Sequence, residues 1–247
     1  MAALTYDRKS LAVLGAFVSV AVMSTVFFGE YVDFGWAETD WLLVACWIGM
    51  LVLAMANVSL RRDVPLALAA FAGGAFIETW GTHAGLWAYF TGEKPPLFIL
   101  PAWPAAALAT ARVADVVSPW VSRTVRGTAP FVVAAVAYVV LLATWVAPHG
   151  VHVLTIAAGA AILVVIATST DGPRDLARFA AGCVTGLPLE IWGTTRECWT
   201  YAGGGTPPLV AVLSHGFATV AFDRAALLVS HVATSRGRLA ISRDGIP

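Results

Sequence analysis

Charge is scarce in this chain of 247 residues: Asp, Glu, Lys and Arg make up 12% and hydrophobic residues 59%, with a mean hydropathy of +0.78. A typical soluble domain carries roughly 25% charged residues, so this is the composition of a membrane protein. An excess of one sign is lacking too, with fifteen basic residues against fifteen acidic ones. Binding nucleic acid by counterion release needs a surplus of Lys and Arg, which excludes that class of partner. Cysteine is limited to Cys46, Cys183 and Cys198, too few and too scattered for a disulfide framework. They read as small packed hydrophobes. There is no Cys pair at metal-ligand spacing, no His pair at i, i+4 and no glycine-rich phosphate loop. No metal and no cofactor are expected, and common soluble-enzyme chemistries have no residues to carry them.

What is abundant is long apolar sequence. A bilayer core takes about 20 apolar residues per helix, and eight stretches qualify: Leu11 to Phe28, Trp41 to Leu60, Val64 to Trp80, Leu97 to Val117, Pro130 to Val146, Val151 to Thr168, Leu176 to Trp192 and Pro208 to Val229. Arg8 and Lys9 precede the first, but no small-residue cleavage site follows Phe28, which favours a retained helix over a secretory signal. With alternating loops, thirteen of the fifteen basic residues share one side, leaving Lys94 and Arg196 on the other. The positive-inside rule then places both termini in the cytoplasm of a cell-membrane protein. Glu30, Asp33, Glu38 and Asp40 fall in the first outer loop.

The chain also aligns with itself at an offset of 112 residues. Glu78, Trp80, Gly81, Thr82, Trp87, Tyr89, Gly92, Pro95, Pro96 and Leu97 meet Glu190, Trp192, Gly193, Thr194, Trp199, Tyr201, Gly204, Pro207, Pro208 and Leu209, ten identities over positions 78 to 97. Arg62, Asp63, Gly74 and Arg112 match Arg174, Asp175, Gly186 and Arg224. The predicted fold is an all-α helical membrane bundle of about eight spans, built from two parallel four-helix repeats, residues 1–117 and 118–247. An even number of spans per unit inserts both copies the same way up, with the pseudo-two-fold axis along the membrane normal.

Within the motif, Glu78 and Glu190 lie about 14 residues, or roughly 21 Å, into the third span of each unit, toward the outer side. The Gly-Thr pair is expected to break the helix, the Trp-x-Tyr segment to form a short re-entrant or interfacial piece, and Pro-Pro to open the next span. A carboxyl inside a span is read by default as functional. Either each Glu bonds its own loop or an arginine, or the two face one cavity in which one stays protonated as an acid. Trp80, Trp87, Tyr89, Trp192, Trp199 and Tyr201 are either an interfacial belt or a lining whose π faces stabilise a cation. Asp63 and Asp175 suit helix N-termini, and Arg112 and Arg224 are expected to anchor at headgroups. His83 and His215 are candidate proton carriers. His83 and Trp103 in the first copy stand opposite Thr195 and His215 in the second, a divergence that favours one asymmetric site.

The stretch Phe76 to Leu100, with Glu78, Gly81, Gly85 and Tyr89, resembles the E-x-x-G-x-x-x-G-x-x-x-Y pattern of membrane carotenoid hydratases. Gly186-Leu187-Pro188-Leu189-Glu190 resembles the G-L-P-L-E-E segment of integral-membrane lycopene cyclases, although Ile191 follows Glu190 here. Both families are polytopic, need no cofactor-binding domain in the sequence, and act on membrane-dissolved isoprenoids by protonating an alkene. The resemblance implies that Glu78 and Glu190 are proton donors or cation stabilisers. The expected function is therefore an isoprenoid cyclase or hydratase of the membrane. The alternatives are a transporter or binding protein for a cationic or amphipathic solute at the repeat interface, and a structural subunit that docks a partner. Sequence leaves the oligomeric state open.

Overall fold

The computed structural model of the chain describes residues 4–28, 40–150 and 152–243. Within them the apolar stretches become eight α-helices: α1 (Arg8–Phe28), α2 (Trp41–Met55), α3 (Leu60–His83), α4 (Ala102–Thr124), α5 (Ala129–Val146), α6 (Val153–Ala167), α7 (Gly172–Thr195) and α8 (Leu209–Arg243). Two short strands, β1 (Trp87–Tyr89) and β2 (Trp199–Tyr201), follow α3 and α7. Each predicted span falls on one helix, and local chemistry moves the ends. Asp40 starts α2 by accepting the N–H groups of Leu42 and Leu43, the satisfaction of orphan donors that defines an N-cap. The same helix stops at Met55 rather than Leu60, because Ala56 turns extended and Asn57 adopts φ 50°. Asp171 caps α7, with Pro173 in its first turn. Of the first predicted outer loop, Glu30, Asp33 and Glu38 lie outside the described residues, as does Val151.

The result is an all-α bundle of eight helices. Five of them (α1, α3, α4 with the turn before it, α5, and α8 as far as Ser230) are long and apolar enough to cross a membrane. The α2 and α6 helices are apolar but only 15 residues each, and α7 carries Arg174, Asp175, Arg178 and Glu190 in its length.

Helices α3, α4, α7 and α8 close into a ring in which α3 packs on α4 and α8, and α7 packs on the same two. The remaining helices sit outside this ring, α1 on α2, α2 on α4 and α7, α5 on α7 and α8, and α6 on α3 and α8. Small residues allow the ring to close by letting helix backbones approach. A Cβ on Gly182 of α7 would lie 2.6 Å from the carbonyl oxygen of His215 in α8, and one on Gly216 would lie 2.6 Å from that of Phe179 in α7. At this crossing the two backbones touch, and only glycine fits.

One expectation is overturned at the other end of the ring. Arg112 does not reach for headgroups. It is 1% exposed and holds Asp63 with both terminal nitrogens, at 3.0 and 2.7 Å, while its Nε donates to the Ala56 carbonyl at 2.6 Å. Arg224 repeats the arrangement, donating to Asp175, to the Val165 carbonyl and to Thr168. Each guanidinium thus ties a neighbouring carboxylate to the C-terminal end of a short helix, α2 or α6, where unpaired carbonyls attract cations. Arg178 bridges two further carboxylates, donating to Asp115 at 3.1 Å and approaching Asp223 at 3.5 Å, while Arg62 also donates to Asp115 and Arg174 to Asp223.

Candidate functional site

The opposite ends of α3 and α7 carry the two carboxyls. Glu78 and Glu190 are 4% and 3% exposed, and each takes three side-chain hydrogen bonds from residues at the same sequence distances. Glu78 Oε2 accepts the Trp87 indole N–H at 3.1 Å and the Tyr89 hydroxyl at 2.8 Å, and its Oε1 accepts the Trp103 indole N–H at 3.1 Å. Glu190 Oε2 accepts from Trp199 at 3.1 Å, and its Oε1 meets the Tyr201 hydroxyl at 2.9 Å and His215 Nε2 at 2.8 Å.

The helices end one residue after the Gly-Thr pairs rather than at them. Gly81 and Thr82 lie inside α3, and Gly193 and Thr194 inside α7. Thr82 and Thr194 bond back to the carbonyls of Glu78 and Glu190 at 2.7 and 2.6 Å, within the helix. Glycine serves another purpose: a Cβ on Gly81 would fall 1.9 Å from the Trp87 ring, and one on Gly193 would fall 2.0 Å from the Trp199 ring. The bare backbone lets each indole lie against the helix and aim its N–H at the Glu three residues earlier. One turn further back, Gly74 and Gly186 make the same room for Trp103 and His215.

The Trp-x-Tyr segments form the two short strands. They pair as an antiparallel ribbon, with Trp87 opposite Tyr201, Ala88 opposite Thr200, and Tyr89 opposite Trp199. The central pair joins two residues that correspond at the 112-residue offset. Across the ribbon Trp87 meets Tyr201 edge-on with ring centres 6.0 Å apart, and Tyr89 meets Trp199 at 5.9 Å. Each carboxyl is therefore held by a Trp and a Tyr whose rings are braced by those holding the other. Pro-Pro immediately precedes α8, whereas after the first copy a 3-10 turn over Leu97–Ile99 intervenes before α4.

The two arrangements differ at one position. Trp103 and His215 correspond at the same offset and stack on each other, with ring centres 5.7 Å apart and planes at 18°. An indole N–H can only donate, while an imidazole nitrogen and a phenol oxygen can donate or accept. Both oxygens of Glu78 carry an indole donor, as does Oε2 of Glu190. Oε1 of Glu190 alone has none, and both its partners can accept a hydrogen bond as well as donate one.

Glu78, Trp80, Trp87, Tyr89, Glu190, Trp192, Trp199, Tyr201 and His215 all line one cavity of about 1010 Å³, most of whose other walls are aliphatic and aromatic. Of the alternatives open in the sequence, the cavity lining is the one in which these residues are found. Two of them turn their polar atoms away from the carboxyls, Trp80 Nε1 donating to Thr155 and Trp192 Nε1 to Asp40. His83 lies apart, exposed at the end of α3 with its Nδ1 at the Thr79 carbonyl. Trp103 was not nominated, although its alignment with His215 was the available signal. Asp40 was also missed as a site-border residue. It takes Arg196 as well as Trp192; burial pushes its carboxyl up, but the hydrogen bond from Trp192, that from the Leu43 N–H and the Arg196 guanidinium outweigh this and hold it below the usual aspartate value. Among the described residues no group of three or more His, Cys, Asp and Glu could hold a metal ion.

No family model matches this chain, and neither does any curated protein or solved structure.

Proposed function

We propose that this chain is a membrane-embedded enzyme that protonates a carbon–carbon double bond of an isoprenoid, ending in cyclisation or hydration. The observation that carries the reading is the unequal hydrogen bonding of two buried carboxyls beside one apolar, aromatic cavity. Glu78, with an indole donor on each oxygen, is suited to remain an acceptor and to balance positive charge. Glu190 Oε1, facing His215 and Tyr201, is suited to carry the mobile proton. In the first step the alkene π pair forms a C–H bond with that proton, leaving Glu190 as a carboxylate and a carbocation on the neighbouring carbon. Either a second double bond attacks the cation and a proton returns to the Glu190–His215 pair, or water adds to the cation and gives up a proton there. A dry pocket favours such general-acid chemistry, and the faces of Trp87, Trp199, Tyr89 and Tyr201 offer cation–π stabilisation.

The same reading includes the topology. Two four-helix units, each with its Glu, Trp and Tyr at matching positions, stand side by side with the same orientation, and all eight helices cross the bilayer. Both termini then face the cytoplasm, with the ribbon and the carboxyls toward the outer side. The antiparallel pairing of β1 with its own counterpart supports an axis along the membrane normal, and the guanidinium contacts at the ends of α2 and α6 support burial of these shorter helices with the rest.

The test is mass spectrometry of lipid extracts from a carotenoid- and polyprenoid-producing host expressing the wild type, Glu190→Gln, His215→Phe or Glu78→Gln. A new isoprenoid, at unchanged mass or heavier by one water, is expected with the wild type and absent with Glu190→Gln. Equal product from wild type and Glu190→Gln would overturn the assignment of the acid.

A further inference from the structure

At about 1010 Å³ the cavity stands at the upper end of the roughly 300–1,000 Å³ of small-molecule pockets, and its space has a direction. On α3 it is lined by residues at spacings of three and four from Pro65 to Trp80, on α8 likewise from Ala211 to Val229, and on α6 by Ala158, Ile162 and Val165. At 1.5 Å per residue these stripes are about 22 Å long on α3 and about 27 Å on α8. The polar groups Glu190, Ser214 and His215 gather toward one end, that of Trp80 and Ala211. The other end is apolar, with Ala69 and Ala72 on α3 and Ala221 and Ala225 on α8 keeping the walls low. Leu68 and Val229 line this end while remaining 62% and 53% exposed, so it opens sideways between helices, onto lipid if the helices cross a bilayer.

We infer that the cavity takes its substrate lengthwise: an acyclic isoprenoid chain enters from the side past Leu68 and Val229 and lies along α3, α6 and α8, its reacting end at Glu190 and its tail at Pro65 and Ala225. This rests on the reading of Glu190 as the acid, and it adds the shape, size and orientation of the substrate. Three backbone bonds extend about 3.3–3.6 Å, so roughly 1.2 Å per bond gives room for about twenty chain bonds, or four to five isoprene units. A ring-capped or compact terpenoid would leave the far end empty.

The experiment uses the full chain in detergent micelles and two photoreactive analogues of geranylgeraniol, one with a diazirine at the tail and one with a diazirine beside the hydroxyl. Peptide mapping is expected to find the tail label within 65–72 and 222–229 and the head label around Trp103, Ser214 and His215, both competed by geranylgeraniol. Ala72→Phe combined with Ala225→Phe is expected to weaken competition by geranylgeraniol at least tenfold and to leave competition by the two-unit geraniol unchanged. Tail label at the aromatic end, label that geranylgeraniol does not compete, or equal effects of the double substitution on both alcohols would overturn the lengthwise reading. Correct labelling together with unchanged product from Glu190→Gln would instead remove the acid assignment and leave the binding mode standing.

Discussion

The buried pair between Arg112 and Asp63 allows a quantitative test of how the ring is held. Replacing Arg112 with Leu leaves Asp63 in a nearly dry site with only Arg62 Nε and the Ser59 N–H as remaining donors. Losing one partner of a buried pair costs about 3–5 kcal/mol. Because Arg62 remains at 3.1 Å, the lower end of that range applies. The Ala56 carbonyl also loses a charged donor, which adds about 1–3 kcal/mol, so Arg112→Leu should destabilise the bundle by about 4 kcal/mol or more. In Asp63→Leu/Arg112→Leu the orphaned charge is gone and only the carbonyl cost of about 1–3 kcal/mol should remain. The double variant should then be more stable than Arg112→Leu by about 3 kcal/mol. Reversible unfolding in mixed micelles titrated with dodecyl sulfate, followed by helical circular dichroism, measures all three proteins. A single variant destabilised by less than about 1 kcal/mol, or a double variant no more stable than the single, would refute the account of Arg112 as an internal tie, since an exposed headgroup anchor is worth only about 0–1 kcal/mol.

Two further predictions concern the carboxyl end. Gly193→Ala should cost about 1–3 kcal/mol by overpacking and should shift tryptophan emission as Trp199 leaves Glu190, whereas Gly159→Ala in α6, where nothing lies within 4 Å, should stabilise by about 0.5–1 kcal/mol; like signs for the two would contradict the packing argument. Asp40 has its folded value below the unfolded one, so its contribution is complete above the ordinary value of about 3.9 and is lost as pH falls through the lower folded value. The stability difference between wild type and Asp40→Asn should therefore be flat above about pH 5 and shrink on further acidification, and a constant difference from pH 6 down to pH 3 would exclude a role for the Asp40 charge.

The helices were legible in the sequence because apolar runs of this length have few other solutions, and the recurrence of Glu, Trp and Tyr in one motif was legible because it occurs twice at one offset, whereas the hydrogen bonds among them were not. The failures have a common origin in contacts between distant segments. Gly81 and Thr82 look like a helix stop when read locally, yet the space left by glycine is filled by Trp87 and the threonine hydroxyl bonds back within the helix. Arg112 looks like a headgroup anchor at a span's end until Asp63, on the adjoining helix, is placed beside it. His83 lies close to Glu78 in sequence but points away, while Trp103, 25 residues further on, reaches it.

The pairing of Ala88 with Thr200 bears on ancestry. A strand that pairs with its own copy about its midpoint is self-complementary, so a half-length chain carrying one Glu, one Trp-x-Tyr segment and four helices could have formed the same ribbon with a second molecule of itself. Two such halves, once encoded separately or joined, would be free to differ, one carrying an indole at Trp103 and the other an imidazole at His215.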